Sequence, residues 1–465
     1  MSIFREYDIR GIVGKDLTVE VTESIGRAYA TLALERGCKT VAVGRDGRLT
    51  SLELRDRFII GVNSTGLNVL DIGVCATPHL YFALFTLPVD GGVMITGSHN
   101  AAEYNGFKMC VGKDALYGEG IQQLKGILDD QRYATGAGTV TETPVLSQYM
   151  AYLKENFSKV DGSALHVVID SGNGAASLVA KDALEQLGCK VTALYCDLDG
   201  RFPNHHPDPT VVENLQDLIR TVKEQGADMG IGYDGDADRI GAIDEKGTIL
   251  WGDRLMLIFA RDMLDTQPGS TFISEVKASQ LLYDDIEKRG GRAIMWKTGH
   301  SVLKAKMKEE NAVLAGEMSG HMFFADRYFG YDDAIYASCR LVEILAKKRK
   351  PLSSLLADLP ITAVTPEIRV DCSDDVKFKL VDRVRNRLLE LYKNPDPTRP
   401  QLVIRDVVTI DGIRVRFDDG WGLIRASNTQ PALVLRFEAN SQDRLSTIRS
   451  YLEGELDICQ RALEP

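Results

Sequence analysis

Two short stretches of this chain carry side chains in spacings suited to phosphoryl chemistry. The first is Thr96-Gly97-Ser98-His99-Asn100. It follows Gly91-Gly92-Val93-Met94-Ile95, an apolar run bounded by glycines that predicts a buried strand, so Ser98 falls on a loop at a strand's carboxyl end. Ligands of α/β sheets collect outside such ends. His99 can exchange a proton near neutral pH, Asn100 can hydrogen-bond phosphate oxygens, and Lys108 follows just past the turn-forming Asn105-Gly106. Taken alone, the stretch also reads as an ordinary polar turn, because Gly, Ser and Asn are common turn formers.

The second stretch is Asp234-Gly235-Asp236-Ala237-Asp238-Arg239, after the strand-like Asp228–Tyr233. Aspartates at alternate positions share one side of an extended segment. Clustered carboxylates repel unless cations compensate them, and three hard oxygen ligands suit Mg²⁺ with coordination positions left for a phosphate. A surface acidic turn is the plain alternative. An EF-hand is the other, since Glu245 falls at the twelfth position from Asp234, but the sixth is Arg239 where the loop wants glycine, and a strand precedes it.

Two further loops add polar groups. Glu317, Ser319 and His321 alternate in Gly-Glu-Met-Ser-Gly-His, and an extended loop would present carboxylate, hydroxyl and imidazole together, a set suited to sugar hydroxyls. In Arg425-Ala426-Ser427-Asn428-Thr429-Gln430-Pro431 a guanidinium, two hydroxyls and an amide could clamp an anion, and the strand-like Ala432-Leu433-Val434-Leu435 that follows argues against a helix start there. Earlier, Tyr7-Asp8-Ile9-Arg10-Gly11 and Gly44-Arg45-Asp46-Gly47-Arg48 are basic spots that fit a solvated Asp–Arg turn as well as a site.

The elements that must hold these loops follow an alternating βα pattern. In the first region Thr40–Val43 and Leu67–Ile72 read as strands around a helix over Ser51–Ser64. A second unit opens with the strand Leu165–Asp170, the turn Ser171-Gly172-Asn173-Gly174 and a helix over Ala175–Leu187, and resembles a repeat of the first. That turn lacks both Gly-x-Gly-x-x-Gly and a Walker lysine, so it reads as a plain strand-to-helix turn. Gly252–Leu264 predicts the helix opening a third unit, and strand Glu367–Val370 and helix Asp374–Tyr392 begin a final region. With 465 residues the chain is long enough for three or four domains of roughly 100–150 residues each.

Composition narrows the function. The content is 44% hydrophobic and 26% charged, with no apolar run near the length of a membrane span. The first residues lack a basic segment followed by an apolar one, so a cytoplasmic location is the expectation. Eight scattered cysteines without a Cys-x-x-Cys pair argue against zinc ribbons and redox couples. A formal charge of −11 argues against nucleic acid as a partner and leaves room for a small anion in a local basic cleft.

Taken together and in this order, Thr-Gly-Ser-His-Asn, Asp-Gly-Asp-Ala-Asp-Arg, Gly-Glu-Met-Ser-Gly-His and Arg-Ala-Ser-Asn-Thr resemble the four signatures of the α-D-phosphohexomutases across the whole chain. The version here most resembles the bacterial phosphomannomutase/phosphoglucomutase branch. The glucosamine-phosphate branch usually has Gln where Met318 stands and Ser-Gly-Thr at Ser427–Thr429. The resemblance implies an α/β fold, with three related mixed α/β domains plus a smaller α+β C-terminal domain around a central cleft. The expected domains are 1–145 (phosphoserine), 146–248 (metal), 249–362 (sugar recognition) and 363–465 (phosphate binding).

By the same resemblance Ser98 is the phosphorylated serine, and it holds Mg²⁺ with Asp234, Asp236 and Asp238. Glu317, Ser319 and His321 bind the sugar, Arg425, Ser427, Asn428 and Thr429 the phosphate that stays in place, and Tyr7, Arg10, His99, Lys108, Arg239 and His300 complete the site. The implied activity is an intramolecular phosphotransfer between hexose 1-phosphate and hexose 6-phosphate through a hexose 1,6-bisphosphate. The implied partner is a small phosphosugar, without nucleic acid or membrane, and the assembly a monomer or small homo-oligomer. Ala101-Ala102 replaces the prolines that often follow Ser-His-Asn, which predicts a less stiff serine loop. The rival readings are a phosphoglucosamine mutase, a haloacid-dehalogenase-like phosphatase with an aspartyl nucleophile at Asp234, and a non-catalytic sugar-phosphate binding protein.

Overall fold

A computed structural model describes residues 3–428 and 430–463. The chain divides into two compact units, one of Met1–Ile273, Asp285–Ala293 and Gly299–Leu356, the other of Ser274–Asp284, Ile294–Thr298 and Ala357–Pro465.

The first unit opens with a mixed sheet whose strands run in the order Ile9–Ile12, Tyr104–Val111, Gly91–Ile95, Thr40–Arg45, Asn68–Val74, Val140–Glu142. Thr40–Arg45 lies parallel to both Asn68–Val74 and Gly91–Ile95. Gly91–Ile95 then pairs antiparallel with Tyr104–Val111, Ile95 opposite Phe107 and Met94 opposite Lys108. Side chains alternate across the sheet, so Val41, Val43, Val93 and Ile95 pack with Tyr29 and Phe58 of the helices Val19–Glu35 and Ser51–Asn63. Ala42 and Met94 face the other way, onto Leu80 and Ala83 of the helix Thr77–Thr86. Covered on both faces, the central strand is apolar throughout, which is why Gly91–Ile95 is legible as a short continuous run.

The second sheet repeats this order with Ile240–Asp244, Met229–Tyr233, His166–Asp170 and Lys190–Leu194. Met229–Tyr233 is parallel to His166–Asp170 and antiparallel to Ile240–Asp244. The serine loop and the aspartate loop therefore connect equivalent antiparallel pairs. Further on, Leu314–Gly316 and Met322–Phe324 form a third antiparallel pair around the Glu317 turn.

The helix expected over Ala175–Leu187 is broken: a 3₁₀ turn spans Ala175–Leu178 and the α-helix only Ala180–Gln186. Val179 between them has φ −146°, and the Ala175 amide is drawn to the Gly235 carbonyl (2.9 Å). Gly252–Leu264 forms the predicted helix.

The second unit is a helix-on-sheet arrangement. Its antiparallel sheet runs Ala363–Val364, Ala432–Ala439, Gly420–Ala426, Ile413–Arg416, Asp406–Val408, with Ile368–Asp371 also on Ala432–Ala439. The helices Asp374–Lys393 and Gln442–Arg461 cover one face. Trp421 and Leu423 pack with Val276 in a separate cluster. All eight cysteines are unbridged, and no helix among the described residues is long and apolar enough to cross a membrane.

Candidate active site

Ser98 lies in the turn that follows the central strand of the first sheet and is held in the left-handed region, with φ +49°. Its amide donates to Thr96 Oγ1 (2.8 Å), and its hydroxyl, almost fully buried, reaches Asp234 Oδ2 (3.0 Å) and His99 Nδ1 (3.1 Å). A non-glycine residue in that conformation is strained unless its surroundings over-determine it. The surroundings are a guanidinium: Arg48 donates to the carbonyls of Ser98 (2.7 Å), Asn100 (2.6 Å), Ala101 (2.6 Å) and Tyr104 (3.0 Å). Arg48 was legible only as one of two basic turns, because the carbonyls it gathers lie some fifty residues away in sequence. The serine loop, expected to be looser for want of prolines, is tied by these four bonds.

The aspartate loop is a tight turn, not the extended segment read from alternation. Ala237 has φ +59°, and the Ala237 amide bonds back to the Asp234 carbonyl (3.1 Å). The turn nonetheless converges the carboxylates: one oxygen of each aspartate lies within 4.8 Å of the others, and all three residues are fully buried. Asp234 Oδ1 accepts the amides of Asp238 (3.0 Å) and Arg239 (3.1 Å). Asp236 Oδ2 accepts from Thr77 Oγ1 (2.5 Å) and Lys108 Nζ (2.6 Å), and Lys108 also pairs with Asp238 Oδ2. Thr77 begins the helix Thr77–Thr86 and was not singled out by sequence, although Thr-Pro is a helix-start signal.

Electrostatics favour a further cation here. Burial, then Asp238 and Asp236, pushes Asp234 well above the carboxylate range. Burial would also raise Asp236, but the Lys108 ammonium reverses that and holds it low. Burial opposes the charge on Lys108 as well, and Asp236 and Asp238 overcome it, so the lysine stays an ammonium. Asp236 Oδ1 and Asp238 Oδ1 are buried and lack hydrogen-bond partners. Three carboxylates, one lysine and two orphaned oxygens fit a divalent cation. The EF-hand alternative falls away, since Glu245 is engaged by Ser353.

Around this centre the first unit gathers most of the other expected residues. Arg10 donates to Asn100 Oδ1 (2.8 Å) and pairs with Asp8 (2.6 Å). Arg239 Nε donates to His321 Nε2 (3.0 Å), which leaves the His321 proton on Nδ1, facing Asp332 Oδ2 at 2.9 Å. One ligand atom each of Asp238, His321 and Asp332 also lies within 4.8 Å of the others, a second group close enough for a cation. His300 opens the helix His300–Glu310, stacks on His321 (5.5 Å) and meets the Tyr7 ring edge-on (5.9 Å). Gly299, with φ +135°, is needed there because a Cβ would lie 2.6 Å from the Tyr7 ring. Burial and neighbouring cations keep both His99 and His300 well below the ordinary histidine range.

Glu317, Ser319 and His321 also lie in a turn, with Gly320 at φ +94°. Glu317 is buried and accepts the Gly299 amide (2.7 Å), Ser319 is half-buried, and Asp332 takes Lys304 (3.1 Å). Asp332 and Lys304 escaped sequence reading because nothing local links them to His321.

In the second unit Arg425 belongs to the strand Gly420–Ala426 and not to the loop after it. Its Nε pairs with Asp411 (3.1 Å), which also accepts the Thr298 amide (3.0 Å). Ser427 Oγ accepts the Gln430 amide (3.1 Å), and Asn428 is exposed. Thr429 lies outside the described residues.

Family models of phosphoglucomutase/phosphomannomutase match most of the chain in order: α/β/α domain I at 1–135, domain II at 147–247, domain III at 251–362, and the C-terminal domain at 367–454. The phosphomannomutase/phosphoglucomutase of Pseudomonas aeruginosa is 44% identical over 462 residues, covering 99% of this chain and 97% of that one. A phosphoglucomutase of Neisseria meningitidis is 44% identical over 457 residues, 98% of this chain and 96% of that one. The crystal structure of a phosphoglucomutase/phosphomannomutase family protein from Burkholderia thailandensis superposes with a TM-score of 0.90 at 40% identity, over 98% of this chain and 97% of that one. On its matched domains, its relatives and its fold, this chain belongs to the α-D-phosphohexomutase superfamily.

Proposed function

We propose that this protein is a phosphohexomutase that interconverts hexose 1-phosphate and hexose 6-phosphate, with glucose or mannose as the sugar, through a phosphoserine at Ser98 and a hexose 1,6-bisphosphate. The observation that carries this is the buried Ser98 hydroxyl, 3.0 Å from Asp234 at the edge of a three-carboxylate cluster that already holds an ammonium. The names of the relatives at 44% identity support the choice of sugars.

In the forward half-reaction the bond from phosphorus to Ser98 Oγ breaks as a bond from phosphorus to the sugar 6-oxygen forms, and the 6-hydroxyl proton passes to a base. The second half-reaction returns the 1-phosphate to Ser98 after the bisphosphate has turned over. Asp234, Asp236 and Asp238, with the phosphoserine oxygen, would hold Mg²⁺, which when bound neutralises charge on the phosphoryl oxygens. Lys108, locked as an ammonium on Asp236 and Asp238, acts as fixed positive charge and not as the base. His99, with Nδ1 3.1 Å from the Ser98 hydroxyl, and His300, edge-on to Tyr7, line the site as neutral imidazoles whose protonated forms burial and neighbouring cations disfavour. Glu317 and Ser319 serve the sugar hydroxyls. In the second unit Arg425, Ser427, Asn428 and Thr429 serve a phosphate group, with Asp411 orienting the guanidinium.

The phosphatase reading fares worse. Both oxygens of Asp234 are engaged, one by two backbone amides and the other by Ser98, so neither is poised as a nucleophile. Intact mass decides the matter. Incubation with hexose 1,6-bisphosphate should add one phosphoryl group to the native protein and none to Ser98→Ala, which should also lose mutase turnover. Full turnover in Ser98→Ala would overturn the covalent mechanism.

A further inference from the structure

We propose that Arg48 is a positioning residue for phosphoryl transfer: its guanidinium presets the serine loop by gathering four of the loop's carbonyls, and a loop of the second α/β region seals it from water. This rests on the mutase reading of Ser98. Arg48 is 2% exposed, and its two terminal nitrogens are spent on Ser98, Asn100, Ala101 and Tyr104. Its Nε faces Asp46 at 3.3 Å. Asp46 in turn accepts the Arg48 amide (3.0 Å) and the Ser51 hydroxyl (2.5 Å), which anchors the guanidinium's own backbone to the start of the helix Ser51–Asn63.

The chain has cleared room for this guanidinium. A Cβ on Gly97 would lie 2.6 Å from Arg48 Cζ, and one on Gly200 would lie 2.5 Å from Arg48 Cα. From the second region Phe202, itself at φ +50°, lays its ring 4.9 Å from the Arg48 Cζ, and Leu198 packs where Gly47 has no side chain. The loop bearing them is built around Asn173 (φ +59°), which bonds to the Tyr195 carbonyl (2.8 Å), the Asp197 carbonyl (2.8 Å) and the Asp199 amide (3.0 Å). Excluding water strengthens every one of the four guanidinium bonds.

The geometry separates Arg48 from the reacting atoms. It bonds the loop's carbonyl oxygens and faces Asp46, and bonds neither the Ser98 hydroxyl nor the carboxylates of Asp234, Asp236 and Asp238. Its effect is to hold Ser98 at φ +49°, where the hydroxyl meets Asp234, and a displacement of that hydroxyl by about 1 Å costs on the order of 100-fold in rate. A lysine offers three donors from a point and cannot span carbonyls distributed around a planar fork.

Arg48→Ala and Arg48→Lys should lower kcat by about 100-fold and 10- to 100-fold, with KM within about threefold of wild type, because the loop's placement matters in the transition state. Phosphoryl uptake by Ser98 from hexose 1,6-bisphosphate, followed by intact mass, should slow in parallel. Millimolar guanidinium should restore turnover in Arg48→Ala and not in wild type, a response that a merely structural role would not give. If Arg48→Ala fails to fold, Arg48→Lys and Gly97→Ala carry the test, the latter displacing the same guanidinium. Variants that are folded and match wild type within about twofold in kcat overturn the proposal. Wild type that neither turns over hexose phosphate nor takes up a phosphoryl group overturns the mutase reading instead.

Discussion

The serine loop and the aspartate loop sit at the same place in two related sheets, each joining the last parallel strand to an antiparallel return, yet they are fixed by opposite partners. A cation holds the serine loop by its carbonyls, so the backbone is fixed and the hydroxyl is turned to Asp234 and His99. The aspartate loop is held through its carboxylates, by backbone amides, Thr77 and Lys108, so its side chains are fixed and the oxygens left over face inward. The return strand of the first sheet supplies Lys108 to the second sheet's loop, opposite Met94 in register. The same topology thus presents a buried hydroxyl in one copy and a cluster of carboxylates in the other, and the difference lies in which atoms the scaffold satisfies.

The sharpest way to break this contrast is Lys108→Met. It strips the aspartate loop of its ammonium and leaves buried carboxylates uncompensated, so the metal-free protein should lose about 3–5 kcal/mol of stability in urea unfolding. Excess Mg²⁺ should recover more of that loss in the variant than it adds to wild type, and equal Mg²⁺ effects in both would refute the charge argument. Next, Asp236→Asn should weaken Mg²⁺ binding by about 100-fold, roughly 2.8 kcal/mol, measured by calorimetry. Phosphoserine already formed should persist, because the serine loop has its own support. Thr77→Val removes one neutral donor to a charged acceptor and should cost about 2 kcal/mol, with exchange of the 234–238 amides speeding before that of 98–104.

The last effect depends on pH and grows from zero at neutrality. His79 sits in the helix that presents Thr77, is fully buried, and accepts the Ala76 amide at Nδ1 (3.0 Å). Burial pulls it from 6.5 to about 3. The folded protein therefore refuses a proton that the unfolded chain accepts. Its contribution is complete above pH 6.5 and falls by about 1.4 kcal/mol for each unit below, toward pH 3. Acid should loosen the aspartate loop first, and His79→Phe should flatten the dependence. A wild-type stability unchanged between pH 6.5 and 5 would contradict this assignment.

What the sequence made legible follows from range. Gly91–Ile95 and Gly252–Leu264 announce themselves locally, one as a buried run and the other by helical periodicity. The convergence of Asp234, Asp236 and Asp238 was foreseen, though through alternation along a strand where the chain uses a turn with Ala237 at positive φ. Thr77 and Asp332 are not legible as site residues, and Arg48 is legible only as part of a basic turn that fits a solvated pair as well as a site, because each acts on a loop brought near only by the fold. Arg425 was read as part of a loop because the polar residues after it mask the end of its strand.

Gly235 touches the serine loop so closely that a Cβ there would lie 2.2 Å from the Ser98 carbonyl oxygen. That approach makes each loop the mould of the other. In recombination between homologues, the unit of inheritance is then the pair, and a chimera that joins one parent's residues 1–145 to another's later sequence keeps its function only when the two surfaces were cast together.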